Sequence, residues 1–149
     1  MTRRDLTTLL PALATMGTAL ADAQTKDATA PLTLHSGVFQ FNTLPVHNSS
    51  GGAATRPILH GKLATGELVE LHETTLQPGQ MPHAAHRHVH TEFMLIREGS
   101  VELILDGKSE QAGPGDVVYA ASRELHGLKN TGTVPANYFV IAIGPDIAA

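Results

Sequence analysis

Gly79-Gln80-Met81-Pro82-His83-Ala84-Ala85-His86-Arg87-His88-Val89-His90-Thr91-Glu92 is the stretch whose reading decides how the chain folds. Four of the nine histidines fall within eight residues of it. In an extended backbone, residues two apart point to the same side. His86 and His88 therefore present two imidazoles to one side, and His90 and Glu92 form a second such pair if the strand continues. Neutral imidazole together with carboxylate is a donor set that suits Mn, Fe, Ni, Co, Cu or Zn. A further histidine stands downstream in Glu124-Leu125-His126-Gly127-Leu128-Lys129-Asn130, after the turn Gly113-Pro114-Gly115-Asp116 and one short strand. A barrel would bring that strand opposite the first cluster.

Outward from this stretch the chain reads as β-structure. Gly66, Pro78-Gly79, Gly99, Asp106-Gly107, Gly113-Pro114-Gly115 and Gly132 cut it into short pieces. Between them, residues 67–76, 93–97, 100–105, 117–120 and 138–143 are rich in β-branched and apolar side chains and have strand length. Val101, Leu103 and Leu105 share one apolar face. Asp106-Gly107 predicts a two-residue hairpin, because both turn positions need positive φ. No 3.6-residue period is sustained after the N-terminal stretch. Many short strands at even spacing predict a sandwich or barrel.

Two spacings carry a resemblance to the small single-domain cupins (cupin type 2, RmlC-like). His86-x-His88-x3-Glu92-x6-Gly99 follows the first cupin motif, with Gly79 one residue farther upstream than the pattern has it. Gly115, His126 and Asn130 follow the second motif in register, with Ala121 standing where the pattern has Pro and Arg123 where it has Gly. The matched stretch runs from Gly79 to Asn130. The resemblance implies an all-β fold, the double-stranded β-helix or jelly-roll barrel. It also implies one divalent transition metal held by His86, His88, Glu92 and His126, with coordination positions left open for water, oxygen or substrate. Asn130 is read as a turn residue or as a support behind a ligand, and not as a ligand.

The other candidates are weighed singly. His90, between His88 and Glu92, is the candidate catalytic residue, as a pocket base or alternate ligand, against a plain loop position. His83 is read as rim or surface. His72 shares a strand with Glu70 and Glu73, and either His72 or Glu73 faces the pocket according to parity, an exposed face being the blander reading. Met94, Ile96, Tyr138, Phe139 and Val140 are read mostly as core, with one or two of them walling the pocket. Arg87 and Arg97 are placed on the outer barrel face.

The N-terminus reads as an address. Arg3-Arg4, a short mildly apolar stretch and the small-x-small sites Ala19-Leu20-Ala21 and Ala21-Asp22-Ala23 describe a bacterial signal peptide over 1–23, of twin-arginine type. A tether over 24–36 and a cupin domain over 37–149 follow, and the expected location is periplasmic or secreted. The apolar stretch is too short and polar for stable membrane insertion. With 149 residues, one folded domain is expected. Charged residues make up 16% and the net charge is −4, with no basic run, so no nucleic-acid partner is expected. Cysteine is absent, which excludes thiolate metal sites, disulfides and a Cys nucleophile. The expected partner is a small-molecule ligand or substrate, and a homodimer is compatible with the sequence. Two functions fit: a small metalloenzyme, dioxygenase- or isomerase-like, or a non-catalytic periplasmic cupin that binds metal or a small ligand.

Overall fold

The structure, a computed structural model, describes residues 32–49 and 52–147. The signal-peptide reading and most of the tether therefore lie outside the described residues. Among those residues the chain forms nine strands: β1 (His47–Asn48), β2 (Ala53–Lys62), β3 (Leu68–Leu76), β4 (Thr91–Glu98), β5 (Val101–Leu105), β6 (Lys108–Ala112), β7 (Val117–Ala120), β8 (His126–Asn130) and β9 (Ala136–Ile143). They build a six-stranded sheet in the order β1-β2-β3-β9-β4-β7 and a three-stranded sheet in the order β6-β5-β8. All strand pairings are antiparallel. The fold is the all-β jelly roll, two facing antiparallel sheets with strands crossing between them.

Local sequence explains the elements. Asp106 and Gly107 take φ of 44° and 82°, the two positive values that a primed hairpin turn demands, and Leu105 pairs with Lys108 across it. Along β9 burial alternates, with Ala136, Tyr138, Val140 and Ala142 buried and their neighbours less so. Val101 and Leu103 of β5 and Leu128 of β8 meet Leu76, Met94, Ile96, Val118, Tyr138 and Val140 of the large sheet in one core. Fully burying such a side chain is worth roughly 1.5–3 kcal/mol, so the interface between the sheets holds the fold. Phe139 departs from its core reading. It lies on the opposite face of β9 from Tyr138 and Val140, edge-on to Phe41 at 6.3 Å.

Four strands lie outside the runs read from the sequence, and β1 is only two residues long. β6 is polar and almost wholly exposed, as an edge of the small sheet can be. β2 carries Pro57, which sits where its register with β3 shifts, and Gly61 near its end. β8 is five residues long and contains Gly127. Leu32 and Leu34, at the end of the segment read as a tether, exchange backbone hydrogen bonds with Lys62. Among the described residues no helix is long and apolar enough to cross a membrane.

Candidate metal centre

The histidine-rich stretch is not the strand that its alternation suggested. Between Gln80 and His90 the chain forms irregular bends, with one isolated bridge, His86 to His126. Its backbone is nevertheless clipped along β8. Gly79 N–H donates to Asn130 O, Asn130 N–H to Gln80 O, and His86 and His126 exchange both of their backbone hydrogen bonds at 2.9 and 3.0 Å. Such a doubly bonded pair sets its two side chains abreast on one face, and the His86 and His126 rings lie 5.0 Å apart. The turn before β8 closes despite its two departures from the motif. Arg123 takes the left-handed conformation at φ 66°, and its N–H donates to His88 O at 2.7 Å.

Four side chains converge at one end of the barrel. His88 Nδ1 lies 2.8 Å from the carbonyl oxygen of His90, and His126 Nδ1 lies 3.0 Å from that of Glu124. A carbonyl oxygen only accepts, so both Nδ1 atoms carry hydrogen and both neutral rings present a bare Nε2. Those two Nε2 atoms face each other at 3.0 Å. Glu92, near the start of β4, puts Oε1 3.5 Å from His88 Nε2 and Oε2 3.4 Å from His126 Nε2. Two lone pairs and a carboxylate at this range repel unless a cation stands among them. The spacings match the edges between neighbouring donors about 2.1 Å from a shared centre. His86 adds a third imidazole whose buried Nδ1 has no hydrogen-bond partner. The donor atoms of His86, His88 and His126 lie within 4.8 Å of one another, and those of His88, His90 and Glu92 form a second such group. The residues present thus fit a divalent metal.

Electrostatics agrees with that reading. Burial alone would raise the Glu92 carboxyl. With a proton in the gap between the rings and the carboxylate, the hydrogen bond from His126, the charge of His88 and the hydrogen bond from His90 outweigh it and hold the carboxyl at about 2. His126 is raised, chiefly by its hydrogen bond to Glu92. A proton is the simplest cation for this gap, so protons and metal compete for the same lone pairs. His86 is lowered by burial and by repulsion from His83, His126 and His88, which keeps its ring neutral and able to coordinate.

The site opens into a cavity of about 270 Å³. Met94, Leu128, Val140 and Pro82 supply apolar wall, Thr55, Thr74 and Tyr138 supply hydroxyls, and Glu92 and His126 belong to the lining. No Lys or Arg lines it. Burial pushes the Tyr138 phenol up, so its hydroxyl stays protonated.

The parity of β3 is settled in favour of His72, which lines the cavity, against the expectation of an exposed face. Glu73 points the other way and is buried beneath Arg56, whose guanidinium also donates to the Phe41 and Leu44 carbonyls. His72 Nδ1 lies 3.0 Å from Glu70 Oε1, and the hydrogen bond to His72 lowers the Glu70 carboxyl. Sequence reasoning missed this carboxylate–imidazole pair. The i, i+2 spacing was its only signal, and that spacing does not tell which face is inside.

His83 is an exposed rim residue, edge-on to His86 at 4.2 Å. Arg87 is exposed and reaches Asp106 and the Arg123 carbonyl, as an outer position should. Asn130 is fully buried and serves backbone groups, in keeping with its reading as a turn residue.

Residues 72–142 match the profile of the cupin domain family (Cupin_2). The fold is that of a cupin. Solved structures overlay this barrel. An RmlC-like cupin from Shewanella frigidimarina is 17% identical with a TM-score of 0.61, covering 74% of this chain and 94% of its own. A predicted oxalate decarboxylase from Thermotoga maritima is 18% identical with a TM-score of 0.63, covering 73% and 100%. The polyketide cyclase RemF from Streptomyces resistomycificus is 18% identical with a TM-score of 0.60, covering 75% and 81%. At these identities the likeness is one of fold. The L-ectoine synthases of Bordetella parapertussis and Bordetella bronchiseptica are 44% identical over 50 residues, 33% of this chain. The chain spans 37% of the length of those curated relatives. The cupin barrel thus carries a histidine and glutamate cluster that suits a metal, beside a cavity of small-molecule size.

Proposed function

We propose that this cupin is a metal-dependent enzyme acting on a small organic molecule, with one divalent transition metal held by His86, His88, Glu92 and His126. The observation that carries the reading is the pair of Nε2 atoms 3.0 Å apart, each fixed as a lone-pair donor by a carbonyl behind its ring. When bound, such a metal supplies Lewis-acid or oxygen-activating chemistry. The chain's own residues supply the rest. A cavity of about 270 Å³ lies just below the usual range for ligand sites, roughly 300–1,000 Å³, so the substrate is small. With no Lys or Arg in the lining, a neutral or singly charged ligand suits it better than a phosphate. Met94, Leu128 and Val140 exclude water from one side, and Thr55 and Thr74 offer hydroxyls for orientation. His72, held through Nδ1 by Glu70, is the group placed to take or give a proton within the cavity.

Elemental analysis of protein purified without chelators tests the metal. About one transition-metal ion per chain is expected in the wild type, falling severely in His88→Ala and His126→Ala while the barrel stays folded. Metal-free wild type that also fails to take up Mn, Fe, Co, Ni, Cu or Zn on dialysis would overturn the proposal. A bound metal that shows no exchangeable water and no response to small-molecule ligands would favour the non-catalytic binding role.

A further inference from the structure

Asp146 lies just past β9 and belongs to neither group of potential metal donors. Its carboxylate is nevertheless tied to the site by two contacts. Oδ2 accepts the Val89 N–H at 2.6 Å, and Oδ1 lies 2.9 Å from His90 Nδ1. His90 Nε2 lies in turn 3.3 Å from Glu92 Oε1. The His90 ring stacks on His88, 3.5 Å between centroids and 9° from parallel. Gly144 closes the space behind it: a Cβ there would come within 2.5 Å of His90 Cα and 2.7 Å of its Cβ. His90 therefore has a ring in front, backbone behind and a carboxylate at each nitrogen.

From this arrangement we infer that Asp146 and His90 form a clasp that presets the Glu92 carboxylate for the metal. The inference rests on the proposal that Glu92 is a ligand. Glutamate is long and loses considerable rotamer freedom when fixed. The His90 ring, wedged between Asp146 and Glu92 Oε1, fills the space on that side and leaves Oε2 toward His126, 3.4 Å away, before any cation arrives. Partners of this kind orient ligands, and removing them typically weakens metal affinity about 10–100-fold. His90 is then a positioning residue and not the pocket base, because each ring nitrogen already faces a carboxylate. Asp146 is a positioning residue acting through His90.

Cobalt(II) binding to the full-length chain tests the clasp, by competition with a chromophoric chelator and by the visible spectrum of the bound ion. Asp146→Asn keeps an oxygen for the Val89 N–H and removes the charge facing His90. It is expected to retain one Co(II) per chain, to bind it about 10–100-fold more weakly and to change the visible spectrum. His90→Gln enters the clasp from its other end and should do the same. In the Glu92→Gln background, adding Asp146→Asn should change affinity less than about twofold, since the group it positions is altered. Wild-type affinity in Asp146→Asn and His90→Gln would overturn the clasp, and so would an equal loss in both backgrounds, which marks a general structural effect. Loss of Co(II) stoichiometry in His90→Gln would make His90 a ligand and also overturn it. If Glu92→Gln binds Co(II) as tightly as wild type, the clasp falls while a three-histidine site stands. If wild type binds no Co(II), the metal proposal falls with it.

Discussion

Replacing Asn130 by alanine should unfasten the barrel without touching a proposed ligand. Asn130 ends β8 and is fully buried. Its Nδ2 donates to the carbonyls of Leu76 and Val134 at 2.8 and 2.9 Å, and its Oδ1 accepts the Gly132 N–H at 2.8 Å. One side chain thus joins the end of β3, the turn before β9 and its own turn. Asn130→Ala deletes all three bonds and leaves their backbone partners without it. At about 1 kcal/mol net per bond, and about 1–3 kcal/mol for a buried group left unpaired, the expected loss is about 3–5 kcal/mol. That is a large part of the roughly 5–15 kcal/mol that a domain commands. Asn130→Asp keeps the acceptor for Gly132 but turns a second acceptor, charged at neutral pH, toward two carbonyl oxygens. It should be at least as damaging as alanine at neutral pH. Urea denaturation of metal-free protein, followed by far-UV circular dichroism, measures both variants. A loss below about 1 kcal/mol for alanine, or wild-type stability for aspartate, would refute the hydrogen-bond reasoning.

Acid stability offers a second test. The Glu92 carboxyl titrates at about 2 in the fold against 4.5 ordinarily, so the unfolded chain takes up that proton first as pH falls. The resulting stabilisation, about 3 kcal/mol in full, is present above about pH 5 and is lost on the way down to about pH 2. Between about pH 6 and pH 3, metal-free wild type should therefore lose about 2 kcal/mol more than Glu92→Gln in urea titrations, and parallel curves would refute the assignment. The leader reading predicts that the protein recovered from the periplasm starts near Asp22 or Gln24. A start at Met1 or Thr2 on N-terminal sequencing would refute it, and export unaffected by replacing Arg3 and Arg4 with lysine would reject the twin-arginine route.

Sequence by itself determined the strand-and-turn character of the chain and the residue types of its chemistry. The turn at Asp106-Gly107, the apolar face of Val101, Leu103 and Leu105, and the spacing of His86, His88, Glu92 and His126 were legible because they depend on local backbone rules and on a motif contiguous within each half. Only the tertiary structure decided what those residues face. His86 and His88 come together although their segment is no strand, because its backbone is clipped to β8, and pairing between distant segments leaves no local period. Parity of β3, with His72 inward and Glu73 outward, follows from how that strand pairs with β2 and β9, since a period of two is blind to which side the second sheet covers. The polar strand β6 needed its neighbour β5 to exist at all. Asp146 reaches His90 from the far end of the domain, a contact between residues that sequence spacing does not connect and that only the closing of β9 against β4 creates.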